Sequence, residues 1–133
     1  MINTIAQATL EIVQLVQAAW PYALKEQGTP RSDEPASQTW AAMQILHDTA
    51  ERDVLNIKIT KRRGNVFVEV FNPVALGVLD TLTKVENFIR LINFTHTATG
   101  ININEINFNE NGVSGNYNHI TVIIPFTYNH IGV

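Results

Sequence analysis

Near the start of the chain, Ile5, Thr9, Ile12, Val16 and Ala19 recur at spacings of four and three, and Leu15 and Trp20 widen the stripe. This period predicts an amphipathic helix that begins at Asn3 or Thr4, residues able to cap its first turn. Pro21 cannot continue a regular helix and stops or kinks it near Trp20. From Lys25 to Gln38 the pattern is lost, and Gly28, Pro30 and Pro35 stand among charged residues in what reads as one long loop. Thr39 to His47 is read as a strand, although Ala, Met, Gln and Leu also favour helix. Asp48 to Asp53 is polar and turn-like. Leu55 to Thr60 then alternates with period two, and Val66 to Phe71 is a second β-rich run. The polar segment Lys61-Arg62-Arg63-Gly64-Asn65 between them predicts a hairpin with a basic tip.

A second helix is expected after Asn72-Pro73, with Asn as N-cap and Pro at the first helical position. Its stripe is Val78, Leu82, Val85, Ile89 and Ile92. Asn93 to Thr99 forms the exit, and Gly100 closes it. Beyond, Ile101 and Ile103 share one strand phase while Ile106 and Phe108 share the other, so an extra residue or bend is expected near Asn104-Glu105. Asn109 to Gly115 reads as a turn-rich loop. In the final strand, Ile120, Val122, Ile124, Phe126 and Tyr128 alternate on one face, and Pro125 on the other suggests an edge strand or a bulge. The order α–β–β–β–α–β–β predicts an α+β fold. A mostly antiparallel sheet of four to five strands carries two helices on one face, in a single domain over 1–133 with a long loop at about 25–38.

Composition narrows the classes. The 133 residues are 45% hydrophobic but only 16% charged, with net charge −3. The charged share is below the roughly 25% usual for soluble proteins, so little repulsion holds copies apart and a protein of assemblies is favoured. The absence of cysteine removes disulfides, thiolate metal sites and cysteine nucleophiles. No apolar stretch approaches the roughly 20 residues of a membrane span, and Met1-Ile2-Asn3-Thr4 lacks the basic start of a signal peptide. The mild acidity speaks against a dedicated nucleic-acid binder.

Catalytic motifs are missing: there is no phosphate-binding glycine loop, no Gly-x-Ser-x-Gly elbow and no His-Glu-x-x-His helix. His47, His96, His119 and His130 are scattered without metal-ligand spacing, and no carboxylate pair stands out. The expectation is no enzyme, no cofactor and no metal. One dense charge cluster remains, Lys58 with Lys61, Arg62 and Arg63, suited either to a solvated hairpin tip or to contact with DNA, an acidic partner or a neighbouring subunit. Trp20, Tyr22 and Trp40 flank the long loop as core-edge residues or interface anchors.

The layout resembles the tail-terminator, or neck, proteins of tailed bacteriophages. The matching pieces are Gln27-Gly28-Thr29-Pro30-Arg31 in the loop, Trp40 to Leu46, Val68-Glu69-Val70-Phe71-Asn72, Gly100-Ile101-Asn102-Ile103, and Ile120 to Tyr128. It departs from that pattern at Asp33-Glu34-Pro35-Ala36, where a basic, proline-richer stretch is usual. The resemblance implies a structural virion protein, assembled in the host cytoplasm, that forms a homohexameric ring. Such a ring caps the tail tube and joins it to the head connector or stopper protein. Lys58, Lys61, Arg62, Arg63, Trp40, Pro30 and Arg31 are then candidate interface or lumen contacts, with non-specific contact to DNA in the lumen and none to membrane. The alternatives are a tail-completion or other connector subunit, or a small α+β ligand-binding module.

Overall fold

A computed structural model describes residues 4–25, 38–52 and 59–131, apart from the side chains of 49–52 and 131. Helix α1 spans Ile5–Ala19, with the Thr4 side chain accepting a hydrogen bond from the Gln7 N–H as its cap. Strand β1 (Ala23–Lys25) pairs in parallel with β2 (Trp40–Arg52), which runs antiparallel to β3 (Ile59–Pro73). A single 3-10 turn (Val74–Leu76) leads into α2 (Val78–Ile92), followed by the short β4 (Asn102–Ile103), β5 (Asn107–Ser114) and β6 (Tyr117–Ile131). The sheet order is β1-β2-β3-β6, with β4 and β5 both on the far side of β6. The architecture is α+β, as expected, but the described residues form six strands rather than four to five, and one pair, β1 with β2, is parallel.

One face of the sheet carries the core. Ala41 and Met43 of β2, Val66, Val68 and Val70 of β3, and Ile120, Val122, Ile124, Phe126 and Tyr128 of β6 all point to it. There they meet Ala8, Ile12 and Val16 of α1 and Val85, Phe88 and Ile92 of α2, so both helices cover the same face. The apolar alternation of β6 thus sets the core, and the sheet is two-faced as its period-two pattern requires.

Four local expectations are corrected. Asp48 to Arg52 is not a turn, because β2 continues through Arg52 after a register shift between His47 and Ala50. The basic segment does not turn: Lys61 to Asn65 lie inside β3, paired with β2 on one side and β6 on the other. A fifteen-residue register with β6 overrides the local turn composition. The segment that joins β2 to β3 contains Leu55 to Lys58, which lies outside the described residues. Asn72 is not a helix cap, because β3 continues through Pro73 and the helix starts after Gly77, whose φ of 89° suits only glycine without strain. Asn109 to Gly115 is not a loop: β5 occupies most of it, and only Gly115-Asn116 turns. β6 is paired on both sides and an extra residue lies opposite, so of its two alternatives Pro125 sits at the bulge and not on an edge strand. It faces the break between β4 and β5, where its missing N–H leaves no ladder bond unmade, and its carbonyl accepts from the Asn104 N–H at 2.9 Å.

The extra residue expected near Asn104-Glu105 is present. Asn102 opposes Thr127 and Asn107 opposes Ile123, so five steps on one strand match four on the other. Ile101, Ile103 and Ile106 are thereby all buried. The α2 stripe is turned relative to expectation: Thr81, Val85, Phe88 and Ile92 are buried, while Val78 is exposed.

Candidate assembly surface

The residues singled out from sequence do not form one patch. Successive side chains of a strand point to opposite faces, so Arg62 joins the helix-covered face while Lys61 and Arg63 belong to the other face beside Thr127 and Asn129. Lys58, Pro30 and Arg31 lie outside the described residues. Trp40 is 1% exposed and offers no open anchor. It belongs to a column on that other face that crosses three strands, with ring centroids 4.2 Å from Trp40 to Phe71 and 4.4 Å from Phe71 to His119. The Lys25 ammonium stands 5.7 Å from the centroid of the Trp40 ring. His119 Nε2 is 3.6 Å from a Glu69 oxygen, an electrostatic contact beyond hydrogen-bond reach.

Arg62 enters a polar cluster at the end of the core face. Its Nε donates to His130 Nδ1 at 3.1 Å, and Tyr128 lies opposite it in β6. His47 approaches from β2 and α1 contributes Thr9. The Thr9 hydroxyl donates to the Ile5 carbonyl, so it accepts from His47 Nε2–H at 3.0 Å. That assignment leaves Nδ1 bare toward the Tyr128 hydroxyl, 3.5 Å away. Burial first, and the Arg62 guanidinium second, hold the His47 pKa below its ordinary 6.5. Burial pushes the Tyr128 phenol up, against the opposing pull of Arg62.

Folding therefore favours neutral His47, and the unfolded chain binds the proton more readily, so stability falls as pH drops below about 6.5. Thermal midpoints measured between about pH 7.5 and pH 5.5 are expected to fall less steeply in His47→Gln than in the unaltered protein. Equal slopes would remove His47 as a contributor.

His47 also ends an open groove of about 640 Å³ lined along α1 by Ile5, Ala6, Thr9, Leu10, Val13, Gln14 and Gln17. Its wall is a helix flank, mainly apolar and glutamine-bearing. Among the described residues, no group of three or more His, Asp or Glu could hold a metal ion, and no helix is long and apolar enough to cross a membrane.

At the opposite end of the sheet lies β5, exposed at all eight residues and paired among the described strands with β6 alone. Its outer backbone edge is a template for another strand. Edge strands are usually guarded by lysine, proline or several charges, and β5 carries only Glu110. Phe108 and Val113, five positions apart, would face opposite ways in a regular strand. The bulge between Glu110 and Gly112 adds one residue and puts both on the helix-covered face, Phe108 opposite Val122 and Val113 opposite Asn118. They are 45% and 64% exposed. Sequence reasoning missed this strand because Asn and Gly dominate it. The available signal was the apolar pair Phe108 and Val113 on either side of Asn111-Gly112.

No family model matches the chain, and no curated protein matches it. A solved structure whose designation describes no activity is similar, with a TM-score of 0.68 at 13% identity over 94% of this chain and 96% of that one. At that identity the likeness concerns the fold, which recurs over nearly the full length of both chains.

Proposed function

We propose that this protein is a structural subunit whose work is to join copies of itself into a ring, as a tail terminator does between tail tube and head connector in a tailed phage. The observation that carries the reading is the exposed β5 edge, an eight-residue strand with a single charge and two exposed apolar side chains. Such an edge invites pairing with another chain, and the low overall charge opposes that pairing little. The layout resemblance supplies the ring, the virion setting and the partners, namely the tail-tube protein and the head connector or stopper. In this reading the face opposite α1 and α2, with Lys61 and Arg63 at one end, is the side turned toward DNA in a lumen. Catalysis has no part in it.

Native mass spectrometry and negative-stain microscopy test the reading. Closed rings of six are expected, either from the protein alone or once the tail-tube protein is added. A strictly monomeric chain under both conditions overturns the proposal.

A further inference from the structure

We infer that the contact between copies is head-to-tail, with β5 of one copy lying in the groove between α1 and β2 of the next. The inference rests on the self-assembly reading above and specifies its interface. Three observations converge on it.

The two surfaces lie at opposite ends of one sheet. β1 pairs only with Trp40 to Ala42, and past that point no described strand lies on the outer side of β2. The far end of the sheet is formed by β4 and the longer β5, both on β6. β2 and β6 run one way and β3 and β5 the other. Copies set side by side with their helices on the same face therefore bring β5 antiparallel to the next β2. That is the pairing geometry used elsewhere in this sheet, and it extends the sheet from copy to copy.

The facing chemistry matches as well. In that arrangement the helix-side residues of β5 meet the flank of α1. The bulge has placed Phe108 and Val113 on that side, and the groove offers Leu10, 58% exposed, together with Ile5 and Val13. The outward face of β5 carries Asn107 and Asn109, which continue the polar face of the sheet. Charge fits too: Glu110, between Phe108 and Val113 on the same side, is the only charge on β5, and the groove ends at His47, next to the Arg62 guanidinium. Because donor and receiver are different surfaces, the contact is heterologous and closes into a ring when its rotation allows.

Complementation distinguishes this contact from every other. Leu10→Asp spoils the receiver and Phe108→Asp spoils the donor, and both side chains are exposed, so each variant is expected to keep the circular dichroism and cooperative unfolding of the unaltered protein. Alone, each should lose self-association by about thirtyfold or more. Mixed in equal amounts, they retain one intact donor and one intact receiver per pair, so a dimer forms and nothing larger. Leu10→Cys and Phe108→Cys provide a second measurement that does not require disruption, since the chain has no cysteine of its own. A short bis-maleimide should link the two variants to each other and neither to itself. Rings that survive both Asp substitutions, or Phe108→Cys linked to itself, overturn the head-to-tail contact and leave the ring reading standing. An unaltered protein that never self-associates, with or without the tail-tube protein, overturns both.

Discussion

Asn72→Ala is expected to lower the stability of the folded chain by about 3 kcal/mol, the cost of several buried polar groups losing one shared partner. The Asn72 side chain is fully buried where β3 ends and α2 begins. Its amide nitrogen donates to Asp80 at 3.0 Å and to the Thr81 hydroxyl at 2.8 Å. Its oxygen accepts from the Thr39 hydroxyl at 2.6 Å and from the Lys84 ammonium at 2.8 Å. Four bonds satisfy one amide, and they tie the start of β2, the end of β3 and the first turns of α2 together. Thr81 extends the network by donating to the Gly77 carbonyl and accepting from Asn118 of β6. Alanine leaves Thr39 and Thr81 short of partners and the Lys84 ammonium, whose side chain is only 15% exposed, held by Asp80 and Thr39. For a domain of this size the loss corresponds to a fall in thermal midpoint of roughly 10 °C. A second readout is specific to the network. Hydrogen bonds from Lys84 and then Asn72 hold the Asp80 carboxyl below the usual carboxylate range, so in Asn72→Ala an NMR titration should show it rising toward that range. A fall of less than about 1 kcal/mol with Asp80 unmoved would show that water replaces the amide at little cost.

That network also explains where pattern reading fails. The α2 stripe was legible as a period, yet its true inward face is centred on Thr81 and Phe88 rather than on Val78 and Leu82. A hydrophobicity count has no means of placing a threonine inside, because the reason lies in Asn72 and Asn118 on two other strands. In β6 every inward residue from Ile120 to Tyr128 is apolar, so alternation alone sufficed there. The basic run of β3 and the Asn-rich β5 carry weak strand propensity, and both are strands because β6 is long enough to pair with each. Local composition speaks for the segment, whereas pairing belongs to the sheet. The candidate surface was legible only as a tendency, through low charge and the phase conflict around Asn104. Its donor and receiver exist as surfaces only once β5 and α1 have been placed at opposite ends of one sheet.

Gly64→Ala is expected to cost about 2–3 kcal/mol, although alanine is ordinarily the better residue within a strand. Gly64 pairs with His47 on one side and Phe126 on the other, on the core face. The Phe126 ring reaches across it and meets the His47 ring edge-on, with centroids 5.6 Å apart. A Cβ at this position would stand 2.4 Å from the Leu46 carbonyl oxygen, 2.6 Å from Phe126 Cζ and 3.1 Å from His47 Cα. Two of those three atoms are backbone of β2, so a side-chain rotation cannot clear them and the β2–β3 spacing must open. The combination Gly64→Ala with Phe126→Leu separates the causes. If the ring alone were the obstacle, shortening it would recover most of the loss in urea unfolding. With the Leu46 oxygen as the nearest atom, the double variant is expected to be less stable than either single one. The loss should also reach the groove, since opening β2 from β3 at this level shifts His47 away from Thr9 and Tyr128. An alanine variant as stable as the unaltered protein would mean that the two strands separate freely there.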